Sequence, residues 1–281
     1  MEKNDKVERS IESFLEELDK IEKTTSYDSH QALEKSRLSD ISLRVHQSEW
    51  HVRGVTYHCR NLIKYYTSVS LGVIARVKTT NAGIIMMNDE SVQKLMFEFY
   101  ALVNLSRISL DNLRNLLKPV FLTPYEQLPK YITDFKTDST DCPVYAKLAD
   151  DPAVIYLIDI RNCLVHYRTF ATDDNVMAVM DGIEPNVFEE FEWTRPMARA
   201  SFRRTKDDRI IFNMYLPDEI FQRNSSGNKK LARFTYEMRI NIISQSMEFV
   251  RILAYATLGS LKLLIDPGTT KYTYRSKSTK I

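Results

Sequence analysis

Residues 38–73 read LSDISLRVHQSEWHVRGVTYHCRNLIKYYTSVSLGV, and their spacing decides the fold class. Leu38, Ile41, Val45, Val52, Val55, Cys59, Leu62, Tyr66, Val69 and Val73 recur at steps of three, four and seven, which on an α-helix lines them along one face. The stretch predicts one long helix, or two broken near Gly54. A helix of this length with an apolar face pairs with a neighbour along its length. The neighbour follows in the same chain. Val92, Leu95, Phe99, Leu102, Val103, Leu110, Leu113 and Leu117 keep the same period until Pro119 stops it, which predicts a second long helix over residues 90–118.

Working outward, Val7, Ile11, Phe14, Leu15, Leu18 and Ile21 predict an N-terminal amphipathic helix with a charged outer face. Residues 24–31 read as a polar linker, and residues 79–89, with Asn81 and Gly83, as a loop. Residues 124–135 read as a short helix and 137–142 as a polar turn. Asp151-Pro152 opens a further helix, with Asp at the cap and Pro in the first turn, running to about residue 170. The period then changes. Residues 200–204 and 209–215 predict two strands joined by Thr205-Lys206-Asp207-Asp208, with residues 176–180 as a third strand. A last helix is expected over residues 230–264. The expected fold is mainly α: an antiparallel helical bundle with a small β-hairpin insertion between its last two core helices. Residues 1–35 read as an N-terminal helix and linker. Residues 36–281 read as one helical domain, with its β insertion at about 175–217 and a basic tail at 268–281 that is polar and expected to be mobile.

The composition narrows the function classes. A net charge of +2 across 281 residues implies no whole-protein field for nucleic acid, so any RNA contact must be local. Cys59, Cys142 and Cys163 are scattered without metal-ligand spacing, which fits a reducing cytoplasm. Residues 249–265 are apolar but contain Arg251 and Lys262, so no membrane span is expected. Gly-rich phosphate loops, nucleophile elbows and paired-acid metal motifs do not occur.

The chemically richest stretch is Arg161-Asn162-Cys163-Leu164-Val165-His166. On a helix Asp159, Asn162, His166 and Thr169 form one polar stripe, among Val154, Leu157, Ile158, Leu164 and Val165. Burying such groups unpaired costs a few kcal/mol each, so the stripe must face water, a ligand or another subunit. Arg161 sits beside it, about 140° round the helix from His166 and roughly 7.5 Å along. One helix does not close Arg161 on His166. Two such helices, antiparallel across a two-fold axis, can bring Arg161 of one copy to His166 of the other. His moves protons near neutral pH, and Arg holds the charge that builds on phosphate; metal-free RNA cleavage needs both. The plainer alternative is an Arg and a His that cap or satisfy neighbouring groups. Arg53-Gly-Val-Thr-Tyr-His58 repeats the spacing and serves as an internal decoy.

Arg161-Asn162-x-x-x-His166, on the penultimate core helix of an antiparallel bundle, resembles the signature of the HEPN superfamily, in which Arg is followed by a polar residue and then by His. The resemblance covers residues 90–264, with the β region as an insertion. It implies a metal-independent endoribonuclease with its site at a homodimer interface, needing no cofactor and no metal. It also implies roles in toxin–antitoxin or antiphage systems, with RNA and an antitoxin or defence protein as partners. Arg161, Asn162 and His166 are its expected catalytic residues. Some family members are inactive, and a non-catalytic module binding RNA, nucleotide or a partner protein is the alternative. A further polar residue from a neighbouring helix often joins such sites; Ser106 and Asp111 are candidates.

Substrate contacts are expected from Asp159, Arg168, Arg203 and Arg204. Asp159 can pair with Arg161 of the other copy or orient His166, or remain a solvated acid. Arg195, Arg199, Arg203, Arg204 and Arg209, with Phe202 and Phe212, interleave cations and aromatics as single-stranded RNA binders do, although a solvated hairpin with its Phe side chains in the core has the same sequence. His46, His51 and His58 lack zinc spacing.

Overall fold

The computed structural model describes residues 4–35, 39–80, 82–132, 140–166, 176–181, 199–216, 219–220, 234–235, 239–265 and 272–273. The helices among them are α1 (Asn4–Lys35), α2 (Ser39–Thr80), α3 (Glu90–Leu117), α4 (Pro143–Leu148), α5 (Pro152–His166) and α6 (Ile242–Ile265). The strands are β1 (Ile84–Met87), β2 (Val176–Met180), β3 (Arg199–Arg204), β4 (Ile210–Leu216), β5 (Glu219–Ile220), β6 (Phe234–Thr235) and β7 (Ile240–Asn241). The protein is mainly helical, as the periodicity predicts. Three helices start on side-chain caps. The carboxylate of Asp89 accepts from the N–H groups of Ser91 and Val92. Asp151 does the same for Ala153 and Val154, and the Asn241 side-chain oxygen for Ile243 and Ser244.

The β part is larger than a hairpin. Five strands form one sheet in the order β1-β2-β3-β4-β7, and β5-β6 pair separately. β2 runs antiparallel to β1, parallel to β3, and β4 is antiparallel to both β3 and β7. The β3–β4 turn is the predicted one. Thr205 and Arg209 close it by N–H to carbonyl at 2.8 Å, and Asp208 takes the left-handed conformation at φ 60°.

Four expectations need correction. Residues 24–31 are not a linker: α1 runs through them, with Thr25, Asp28 and Ser29 buried. The expected loop at 79–89 contains β1, which pairs with a strand some ninety residues on. The last helix begins at Ile242, and the residues described before it from 234 include two short strands, β6 and β7. Within 124–132 only a single 3-10 turn forms, Tyr125–Gln127. α2 is unbroken at Gly54. A Cβ there would stand 2.6 Å from the Leu105 side chain, so α3 comes in close. In the tail, Tyr272 is tied down: its N–H donates to the Val120 carbonyl and its own carbonyl accepts from Leu122.

The chain divides into two compact units. Unit 1 holds Met1–Ile11, His58–Ala101 and Asp159–Met247; unit 2 holds Glu12–Tyr57, Leu102–Ile158 and Glu248–Ile281. In unit 1, Tyr66 of α2 donates to the Phe212 carbonyl of β4 at 3.1 Å, and its ring lies tilted against the Phe212 ring with centroids 5.6 Å apart. Burial pushes the Tyr66 hydroxyl up to about 12. In unit 2, Arg251 of α6 grips Glu17 of α1 with two 2.8 Å hydrogen bonds, and Arg44 of α2 donates to the Asn115 carbonyl of α3. No described helix is long and apolar enough to cross a membrane.

Candidate functional site on the fifth helix

α5 is anchored by Val154, Leu157, Ile160 and Cys163, all buried. Asp159, Arg161 and Asn162 are each only half-buried. The polar stripe is therefore on the side turned from the core, as the apolar circumference requires. The Arg161 guanidinium folds along its own helix, and Nη1 donates to Oδ1 of Asn162 at 3.3 Å. With its oxygen so engaged, the Asn162 amide keeps its NH₂ as a donor. Arginine and amide together form a cluster of N–H groups able to hold a phosphate.

Burial raises the Asp159 carboxyl above its ordinary value, because an ionised carboxylate loses hydration there. Burial also pushes the Cys163 thiol up to about 11. Cys163 is thus held neutral and is no nucleophile, though it lies inside the motif. His166 is the last residue of the described helix; its side chain, like Arg168 and Thr169, lies outside the described residues.

The decoy is put to other uses. Arg53 pairs with Glu49 at 2.7 Å and also reaches Ser26 of α1. His58 Nδ1 sits 2.6 Å from the Glu98 carboxylate, whose other oxygen accepts from Asn61 at 3.2 Å. Arg53 and His58 thus each serve a different carboxylate. Glu98 is the residue sequence reading missed. Its partners lie forty residues away on another helix, so no local spacing marks it.

The β arginines are partly spoken for. Arg204 pairs with Asp208 and Arg209 with Asp207, each at 3.2 Å. Arg203 is half-buried, and Arg195 lies outside the described residues. Phe202 and Phe212 pair across β3 and β4 and are both buried, so neither ring is offered to a base. Ser106 is fully buried, and Asp111 pairs with Arg107 at 3.2 Å; both belong to unit 2, whereas Arg161 and Asn162 belong to unit 1. His51 is buried and its pKa lowered by that burial, His46 is exposed, and no three His, Cys, Asp or Glu side chains among the described residues gather as a metal site would need.

Compared with protein-family models, curated proteins and solved structures, the chain matches none of them.

Proposed function

We propose that the protein is a metal-independent endoribonuclease of the HEPN type, with its site formed from α5 of two copies in a homodimer. The observation that carries this reading is the half-buried Arg161–Asn162 pair, held on a rigid helix one turn before His166. In the reaction, the RNA 2′-oxygen attacks the adjacent phosphorus as His166 takes its proton. The bond to the 5′-oxygen breaks, and that oxygen leaves as a hydroxyl after receiving a proton. The products are a 2′,3′-cyclic phosphate and a 5′-hydroxyl end. Arg161 holds the non-bridging oxygens as charge builds, and the Asn162 NH₂ adds a neutral hydrogen bond. DNA lacks the attacking hydroxyl and is spared.

A cell would tolerate such an activity only if it were held in check, which fits a toxin or antiphage setting with a neutralising partner. The experiment is cleavage of mixed RNA in EDTA by wild type, Arg161→Ala and His166→Ala, with end-group analysis of the fragments. Cleavage by wild type alone, leaving cyclic phosphates, supports the reading. Binding of RNA or a protein partner through α5 with no cleavage under any condition transfers it to a non-catalytic module.

A further inference from the structure

The outer face of α2 in unit 2 carries Leu43, Trp50 and Tyr57 at 75%, 68% and 60% exposure. They are spaced seven apart, which keeps them within about 40° of one line on the helix. The core-facing side of the same helix is already filled by Val45, Val52 and Val55. A leucine and two large aromatics in one exposed row mark an interaction surface rather than scattered apolar residues.

We propose that this row pairs with the same row of a second copy of the chain, antiparallel, about a two-fold axis at Trp50. The inference does not rest on the α5 reading. Three observations select this occupant. The row is symmetric about its centre: a two-fold axis at Trp50 sets Leu43 against Tyr57 of the second copy, so the surface is its own complement. Beside Trp50 the cation Arg53 is paired with Glu49 at 2.7 Å, so the centre of the row carries little net charge. Two copies therefore meet at the centre of the row without like-charge repulsion. Antiparallel packing also places Arg53 beside the uncharged Gln47 of the second copy, where a parallel pairing would set Arg53 against Arg53. The third observation is the area. Large aromatics bury 150–250 Å² each, so the row covers on the order of 450 Å² per copy. α3 extends the surface: Gly54 packs on Leu105 and Arg44 on the Asn115 carbonyl, so the helices run antiparallel and Ile108, 48% exposed, lies level with Trp50. The row alone is thus a little over half of the roughly 800 Å² per partner of a standard interface, and Ile108 adds to it.

The test uses the full chain in a Trp193→Phe background, which leaves Trp50 as its single tryptophan. Sedimentation should show self-association, and Trp50 emission should shift to the blue as concentration rises. Trp50→Lys and Leu43→Lys should each weaken association at least ~30-fold, the size of a central interface residue, with helical content unchanged. Mixed Leu43→Cys and Tyr57→Cys proteins should cross-link with each other in preference to themselves. If Trp50→Lys reduces a tetramer to a dimer, two separate interfaces exist and the proposal stands. A wild type that stays monomeric at about 100 µM, above the µM to pM range that interfaces of standard size span, overturns it. So does association that survives Trp50→Lys and is lost instead on substitution in α5. Preferential Leu43→Cys self-cross-linking overturns the antiparallel arrangement.

Discussion

Unit 1 and unit 2 fill their interiors differently. Unit 1 is closed by Leu62, Leu95, Phe99 and Phe202, and its described polar site groups on α5 stay half-exposed. Unit 2 takes polar side chains inside: Thr25, Asp28, Ser29, Ser48, His51, Thr56, Ser106 and Arg107 are all buried there. Among the described residues, every buried Ser, Thr, Asp, His or Arg side chain except Ser246 belongs to unit 2. Some of its hydroxyls are satisfied within their own helix, as Ser109 on the Leu105 carbonyl and Ser260 on that of Ala256, each at 2.6 Å. Others, Thr25 Oγ1, Ser29 Oγ and Ser106 Oγ, have no hydrogen-bond partner among the described residues. The difference teaches that one unit has an apolar interior and the other a mixed one. Unit 1 buries mainly apolar side chains and keeps Asp159, Arg161 and Asn162 half-exposed. Unit 2 forgoes some of that burial for polar groups that cost free energy unless paired.

Substitutions can break this contrast. The largest stability effect belongs to the apolar unit: Phe202→Ala should lose about 3–5 kcal/mol in chemical denaturation, and a loss below about 1 kcal/mol would mean the sheet face is not closed as described. His58→Gln in the same unit keeps a hydrogen-bonding side chain for Glu98 but removes the imidazole. It should lower stability by about 1 kcal/mol and leave RNA cleavage within a few-fold. A cleavage loss as large as that of His166→Ala would move the site to the decoy.

Unit 2 should respond with the opposite sign. Thr25→Val and Ser106→Ala each remove a buried hydroxyl, and each should leave stability unchanged or raise it by up to about 1 kcal/mol; a clear loss would show that these hydroxyls are paired in solution. The smallest effect concerns Asp159. Its folded pKa is raised, so the folded state binds a proton more tightly than the unfolded chain. That contribution is full below the ordinary carboxylate range and is lost as pH rises through the raised value. Asp159→Asn should flatten this slope and slightly raise the melting temperature at pH 7. An unchanged slope would mean burial does not govern that carboxyl.

The same contrast explains what could be read from sequence. α2 and α3 were legible because Val55, Cys59, Leu62 and Tyr66, and Leu95, Phe99 and Leu102, keep an apolar period. α1 was not legible beyond Ile21. Its core face continues through Thr25, Asp28, Ser29 and Ala32 in helical spacing, but with polar side chains that imitate a linker. β1 and β7 were lost for another reason: they have four and two residues, and their partners are remote in sequence. Of the site, the Arg161–Asn162 contact is local and follows from adjacency on a helix. The Glu98 grip on His58 joins two helices and carries no spacing signal.

The central claim, metal-free RNA cleavage from α5, is tested most directly by one substrate pair in EDTA: an RNA, and the same RNA with its cleavage-site 2′-hydroxyl replaced by hydrogen. The account predicts that wild type cuts only the first, leaving a 2′,3′-cyclic phosphate. His166→Ala should lose about 10²–10⁴-fold and Arg161→Ala about 10²–10³-fold, with the double variant well short of their product. Cleavage of the deoxy substrate, a requirement for divalent metal, or full activity in His166→Ala would contradict it.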